Sequence, residues 1–389
     1  MPTSKHDTEE QSRQEASDLN PRIPPLKNSC REAVFNLCHF AGINYFFLQL
    51  HRTELLILCY HGVVSDEHAA DPWGYGNIIS RSLFASQMEL LARRFTPISV
   101  TQLLDWFSRK VKPAANGVLV TFDDGYRNNL THAAPVLYEL GIPAVFHVAT
   151  GYIGHKRILW HNEIYRRVMY WPKANIPMPD GIPDKILSSD LRERRLLANS
   201  LRQYTKKMSH DSSRQYLTRL REYDLPVLKE SEQEMFAFLS WDDVRELHRK
   251  GFEIGSHTVE HPMLTRLEPS QLDRELRESK STIEEEVGVA CRCIAYPNGT
   301  PCDYSDAVVQ GARRAGYKVG LTTLSQFCAA TDHQLQLGRV CITGDLGRHA
   351  FYSNISGVSS SLRRVRSLLV KRADERDSIS PAFARANKN

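Results

Sequence analysis

One stretch constrains this chain more than any other: Val118-Leu119-Val120-Thr121-Phe122-Asp123-Asp124-Gly125-Tyr126. An apolar, β-branched run of strand length ends in two adjacent carboxylates and a glycine, which reads as a buried strand and the turn after it. Successive strand residues point to opposite faces, so Asp123 and Asp124 cannot share one task while the strand lasts. Gly125 allows the chain to turn there, and both carboxylates can then reach one cavity from different angles. Two nearby carboxylates repel, which raises one pKa unless a cation or donor neutralises one of them. The arrangement suggests a division of labour, with one carboxylate on a metal and the other free to take a proton. The alternative is a solvated turn that caps the next helix.

The rest of the chain repeats the pattern. Short apolar runs at 55–59, 144–149, 252–256, 291–296, 317–321 and 337–342 alternate with helical periodicity at 82–95, 101–110, 128–140, 240–250, 269–287 and 306–315. Ser82, Thr101 and Ser240 are the expected N-caps. Seven buried-type strands separated by helices predict an α/β fold with a parallel sheet, either closed as a barrel or open and doubly wound. In both, the active site lies at the C-terminal ends of the strands. The polar residues fall there: His61, Asp123 with Asp124, His257 with His261, and Asn298 each follow the last apolar residue of a different strand.

The expected domain plan is a disordered segment over 1–27, an amphipathic helix over 28–52, a barrel over 53–345 interrupted by a helical insertion at 151–238, and a basic tail over 346–389. The chain has 389 residues and a formal net charge of +5. From residue 361 onward, eight Lys or Arg face three acids, so the tail carries the whole excess and the body is close to neutral. The basic balance is therefore no argument for nucleic acid. The tail reads as a solvated terminal helix, with contact to an anionic membrane surface as the alternative, and the 28–52 helix is expected to lie on the domain or on a membrane. Eight cysteines form no CxxC pair and several sit in apolar runs, so reduced thiols are expected. No signal-peptide pattern opens the chain, and no run reaches the roughly 18 apolar residues of a membrane span. The expected location is the cytoplasm or its membrane face.

His257 and His261 are four apart, a spacing that lets two imidazoles face one side as metal ligands. Pro262 disfavours helix at His261, so the pair belongs to one turn in a loop. With one carboxylate, two histidines make a site that keeps positions open for water and substrate.

These residues resemble a known family. Thr121-Phe122-Asp123-Asp124-Gly125 and Ser256-His257-Thr258-Val259-Glu260-His261 resemble the first two motifs of the polysaccharide deacetylases, the NodB-homology carbohydrate esterases. Ala295-Tyr296-Pro297-Asn298-Gly299 resembles a third motif without its usual arginine, and Tyr60-His61-Gly62 the opening motif of members with permuted motif order. The resemblance covers 55–342 outside the insertion. It implies a distorted (β/α) barrel of about seven parallel strands with an inserted helical segment. It implies a divalent metal, Zn²⁺ with Co²⁺ or Ni²⁺ as substitutes, on Asp124, His257 and His261. It implies Asp123 as base and removal of N-acetyl groups from an amino-sugar polysaccharide or oligosaccharide. His61 is expected as the acid in place of the family's late histidine, because Leu337-Gly338-Arg339 offers only an arginine there. Asn298 is expected to donate its amide to the oxyanion, since Pro297 has none; Tyr296 and Trp160 are expected beside the substrate. Trp160, His161, Glu163, Trp241 and Asp242 are candidates for the sugar cleft, and Arg292 for the missing arginine. Two other readings stay open. One is a catalytically silent carbohydrate-binding protein that keeps the metal site. The other is a glycosidase pairing Asp123 with Glu163 or Asp242, which leaves the histidines unexplained.

Overall fold

The computed structural model describes residues 28–69, 77–111, 114–344 and 346–362, with side chains from residue 33 onward. The segment expected to be disordered, 1–27, and the tail from 363 lie outside the described residues.

Seven parallel strands form one curled sheet: β1 (Leu56–Tyr60), β2 (Gly117–Phe122), β3 (Ala144–Val148), β4 (Glu253–Ser256), β5 (Cys293–Ala295), β6 (Val319–Leu321) and β7 (Val340–Cys341). Their order is β6-β5-β4-β3-β2-β1-β7. The two ends of that order meet. Leu337 bridges Leu321 of β6 in parallel register, and three residues on Val340 pairs with Leu58 of β1. The segment 337–341 thus joins both edges and closes a distorted barrel.

Thirteen helices are described. A hairpin of α1 (Asn28–Phe40) and α2 (Ile43–Leu50) precedes the barrel. Next come α3 (Arg81–Arg94), α4 (Val100–Phe107) and α5 (Ala134–Glu139). The insertion contributes α6 (Trp160–Tyr170), α7 (Leu191–Lys207), α8 (His210–Leu220) and α9 (Glu230–Phe236), and α10 (Trp241–Arg249), α11 (Pro269–Val287), α12 (Asp306–Ala315) and α13 (Arg348–Ile355) follow. The single helix expected over 28–52 is two, bent by 73°. Gly42 takes the left-handed conformation at the break, with φ 72°. The helix expected at 128–140 opens as a π-turn, Asn129–Ala133, because Pro135 cannot donate into a regular α-ladder.

Strand alternation divides the interior in two. Ile57, Leu119, Val145, Cys293, Ala295, Val319, Leu321 and Leu337 fill the inside of the barrel, which Val100, Leu103, Trp106 and Phe107 of α4 plug at the bottom. The residues between them, among them Leu56, Leu58, Tyr60, Val118, Val120, Phe122 and Phe146, pack outward under the helices. Residues that face both layers must be apolar on both faces, which is why the strands read as unbroken hydrophobic runs. The alternation also aims the site. After Leu119, the inward positions of β2 and its exit are Thr121 and Asp123.

Candidate active site

Asp123 leaves β2 pointing inward and is almost fully buried. Arg339, with no exposed surface, climbs the barrel interior from the segment entering β7. Its Nη1 and Nη2 donate to the two Asp123 oxygens at 2.8 and 2.7 Å. Its remaining donors reach the Thr322 carbonyl at 3.0 Å and Thr121 Oγ1 at 3.1 Å. His147 of β3 places Nδ1 3.1 Å from the Phe122 carbonyl and 3.2 Å from Asp123 Oδ1. Both neighbours are acceptors, so Nδ1 carries the proton. The Cys59 thiol lies 3.4 Å from Asp123 Oδ2. Burial alone would push the Asp123 carboxyl up; the Arg339 guanidinium, with His257 and His147, outweighs it and holds it well below the usual range. The result is an ionised carboxylate fixed in one orientation.

Asp124 turns the other way because its backbone enters the left-handed region at φ 75°. Gly125 follows at φ 87°, where a Cβ would sit 3.2–3.3 Å from Val148 and Ile153 atoms. Asp124 Oδ1 faces His257 Nε2 at 3.5 Å and His261 Nε2 at 3.6 Å. The loop carrying both histidines leaves β4 and is tied from below by buried Glu275 of α11. One Glu275 oxygen accepts from the Val259 and Glu260 amides at 2.8 and 3.0 Å. Thr258 and His261 adopt φ 67° and 52°, and the Thr258 hydroxyl accepts the His261 amide at 3.2 Å. Six described non-glycine residues have positive φ, and four of them, Asp124, Thr258, His261 and Asn298, belong to this cluster. Backbone strain of this kind persists only where surrounding contacts over-determine it. His257 Nδ1 donates to the Ala295 carbonyl at 2.7 Å, which leaves Nε2 its lone pair toward Asp124. Trp160 caps the loop, its indole N–H donating to the His261 carbonyl at 2.9 Å.

Charge follows geometry. Burial, with His257 beside it, lowers His261 to about 3 against the pull of Asp124, so this imidazole is neutral. Burial also works against charge on His257, but Asp123 and Asp124 outweigh it and draw its pKa up. Burial pushes Asp124 up, and His257, His61 and His261 bring it below the usual range.

The other expected residues divide. His61 reaches the site: one of its ring nitrogens, the Cys59 sulfur and an Asp123 oxygen lie within 4.8 Å of one another. Its Nδ1 is buried without a hydrogen-bond partner. Asn298 sits past the end of β5 at φ 58°, and its amide N–H donates to no described acceptor. Tyr296 is a correction. It is fully buried, and its hydroxyl donates to the Leu335 carbonyl at 2.9 Å, so its side chain does not face a substrate. Arg292 is another. It precedes β5 at the opposite end of the barrel, where it pairs with Glu253 at 2.6 Å. The arginine that pairs with Asp123 is Arg339. Glu163 is spent on Arg167 and Arg221 at 2.9 and 2.6 Å. Asp242 is 91% exposed and paired with Arg245, so neither can serve a two-carboxylate glycosidase. Trp241 packs beside the outer core after the Ser240 cap. His161 does approach, with its ring 5.4 Å from that of His261.

Asp124, His257 and His261 each present one donor atom, all within 4.8 Å of one another and all buried. The two carboxylate–imidazole distances are too long for hydrogen bonds. They suit ligands of one ion: tetrahedral donors held at about 2.0–2.1 Å stand roughly 3.4 Å apart. Beside the cluster, a cavity of about 340 Å³ opens between α8 and the loop at Pro262 and Met263, with Trp160 in its wall. Neither Asp123 nor Asp124 is in its lining.

Comparison with known proteins agrees. The family model described as polysaccharide deacetylase matches residues 110–185 and 201–320, just over half of the chain. YxkH of Bacillus subtilis (strain 168), whose name carries the same family designation, is 22% identical over 309 residues, 78% of this chain and 77% of that protein. Among solved structures, the Streptococcus pyogenes deacetylase PplD in complex with acetate superposes with a TM-score of 0.51 at 20% identity, over 78% of this chain and 99% of that one. IcaB from Ammonifex degensii does so with a TM-score of 0.50 at 20% identity, over 78% and 96%. At such identities the superpositions speak for the fold, and the matched residues speak for the family. The chain belongs to the polysaccharide deacetylase family of hydrolases.

Proposed function

We propose that this protein removes N-acetyl groups from an amino-sugar polysaccharide or oligosaccharide, with Asp124, His257 and His261 holding a divalent metal and Asp123 acting as base. One observation carries the reading: three buried donors from two strand ends converge, with a second, separately oriented carboxylate beside them. The donor set of one carboxylate and two imidazoles fits zinc, with cobalt or nickel as substitutes. Such an ion, when bound, supplies Lewis acidity toward the acetyl carbonyl and toward water.

The protein's own groups do the remaining work. Asp123 accepts the proton of the attacking water, and its bidentate pair with Arg339 keeps it ionised and aimed; assistance of this kind contributes about 10²–10⁴-fold. The Asn298 amide offers a donor to the oxygen that gains charge in the transition state. His61, which brings one ring nitrogen near Asp123, gives the departing amine its proton. Trp160 keeps His261 in place and lines the neighbouring cavity, where adjoining sugar residues fit. The acetate in the PplD structure supports acetyl chemistry on this fold.

The test is acetate release from N-acetylglucosamine oligomers. Wild type supplied with Zn²⁺ is expected to release acetate, and Asp123→Asn to lose at least about 10²-fold of that rate. Asp123→Asn at the wild-type rate overturns the assignment of the base. Oligomer binding with no release by wild type replaces the enzyme with a sugar-binding protein.

A further inference from the structure

The helical hairpin at the start of the described chain has one face that the fold uses and one that it does not. On the used face, Phe35, Cys38 and Leu48 are buried, and Asn44 Oδ1 accepts from Ser353 Oγ of α13 at 3.1 Å. His39 lies against His349, with ring centroids 4.3 Å apart. On the other face, Val34, Leu37, Phe40, Tyr45, Phe46 and Leu50 stand in solvent; Phe40 is 80% exposed, Leu37 68%, and Phe46 and Leu50 59% each. Six large apolar side chains within one stretch of 17 residues form the kind of exposed patch that marks an interaction site.

Cations fringe that patch. Arg52 is exposed just past Leu50, and the charges of exposed Arg94 and Arg348 act on His39, next to Phe40. Gly357 abuts the His51 ring, so the final described turns run beside the end of α2.

We propose that the hairpin seats this protein on an anionic lipid bilayer. Leu37, Phe40, Tyr45, Phe46 and Leu50 enter the boundary between headgroups and acyl chains, while Arg52, Arg94 and Arg348 lie against lipid phosphates. An amphipathic face with cations beside it is the physical signature of a helix lying in the interface plane. The hairpin lies on the membrane rather than crossing it. Its arms of 13 and 8 residues meet at 73°, and its inner face is committed to α13 through Asn44. A second copy of the chain is the poorer occupant. A symmetric pairing of this face would bring like-charged arginine fringes together, whereas anionic lipid neutralises them.

Vesicle flotation of the full chain tests this, with vesicles of phosphatidylcholine alone and of phosphatidylcholine mixed with phosphatidylglycerol. Wild type is expected to float at least about tenfold more with the anionic vesicles and to be released by high salt. The triple variant Leu37→Ser, Phe40→Ser, Phe46→Ser is expected to lose about tenfold or more of that binding. Because these side chains are already solvated, its thermal midpoint and its acetate release from soluble oligomers should match wild type. Equal flotation of variant and wild type overturns the proposal. So does equal binding to both vesicle types, or a wild-type dimer in light scattering that the variant converts to monomer without any vesicle binding.

Discussion

Arg339 decides how well Asp123 is held, and it shows where a sequence is legible and where it is not. The spacing of His257 and His261 and the adjacency of Asp123 and Asp124 are visible because each pair is local. Arg339 lies 216 residues from its partner, in a position where the family resemblance directs attention to a proton donor. Nothing local marks it as a guanidinium reaching up the barrel interior. Arg339→Met is expected to leave Asp123 buried and uncompensated. That costs about 3–5 kcal/mol in denaturant unfolding and roughly 10²-fold in acetate release through a misaimed carboxylate. Lysine should not restore either, since it cannot make the fork. An unchanged melting curve with full activity contradicts this role. His147 was equally silent: a histidine inside Ala144-Val145-Phe146-His147-Val148 reads as one polar residue in a buried strand. Its place depends on Gly255 of the neighbouring strand, where a Cβ would stand 2.4 Å from His147 Cδ2 and 2.9 Å from Nε2. Gly255→Ala is therefore expected to destabilise by about 1–3 kcal/mol, whereas Gly347→Ala, in open space at φ −60°, should be near neutral in the same thermal assay.

Elements were easier to read than their ends. The barrel strands are continuous apolar runs because both faces are covered, and all seven form. Helix starts fell two residues early: Ser80 caps α3 and Ser99 caps α4, where Ser82 and Thr101 had equal chemical claims. At Ser240 the capping box with Asp243 closes as its pattern requires. The insertion gave only a charged helical texture, and its internal tie is long-range. Glu163 of α6 binds Arg167 on its own helix and Arg221 just past α8, joining two helices through one carboxylate. Burial raises the Glu163 pKa, but Arg221 and Arg167 win and hold it below its usual value of about 4.5. A carboxyl depressed in the folded state adds stability that is present above the unfolded pKa and lost as pH falls through the folded one. Wild type should therefore lose stability as pH drops below about 4.5, and Glu163→Gln should flatten that part of the curve while lowering stability at pH 7. Equal acid sensitivity in wild type and variant would remove Glu163 from the account.

At the scale of the whole molecule, alternation of strand and helix predicted a parallel α/β sheet but left closure open. Closure depends on one irregular segment, 337–341, that pairs first with β6 and then with β1. That same segment delivers Arg339, so closing the barrel and orienting Asp123 are one structural event. Four strand ends carry His61, Asp123 with Asp124, His257 with His261, and Asn298. The central claim is that Asp124, His257 and His261 share a single metal ion. Elemental analysis of protein loaded with Zn²⁺ and dialysed tests it most directly. The expected result is about one equivalent in wild type and in Asp123→Asn, and almost none in His257→Ala, as for a site built on three protein ligands. A wild type that retains no metal, or a His257→Ala variant that retains as much as wild type, would contradict it.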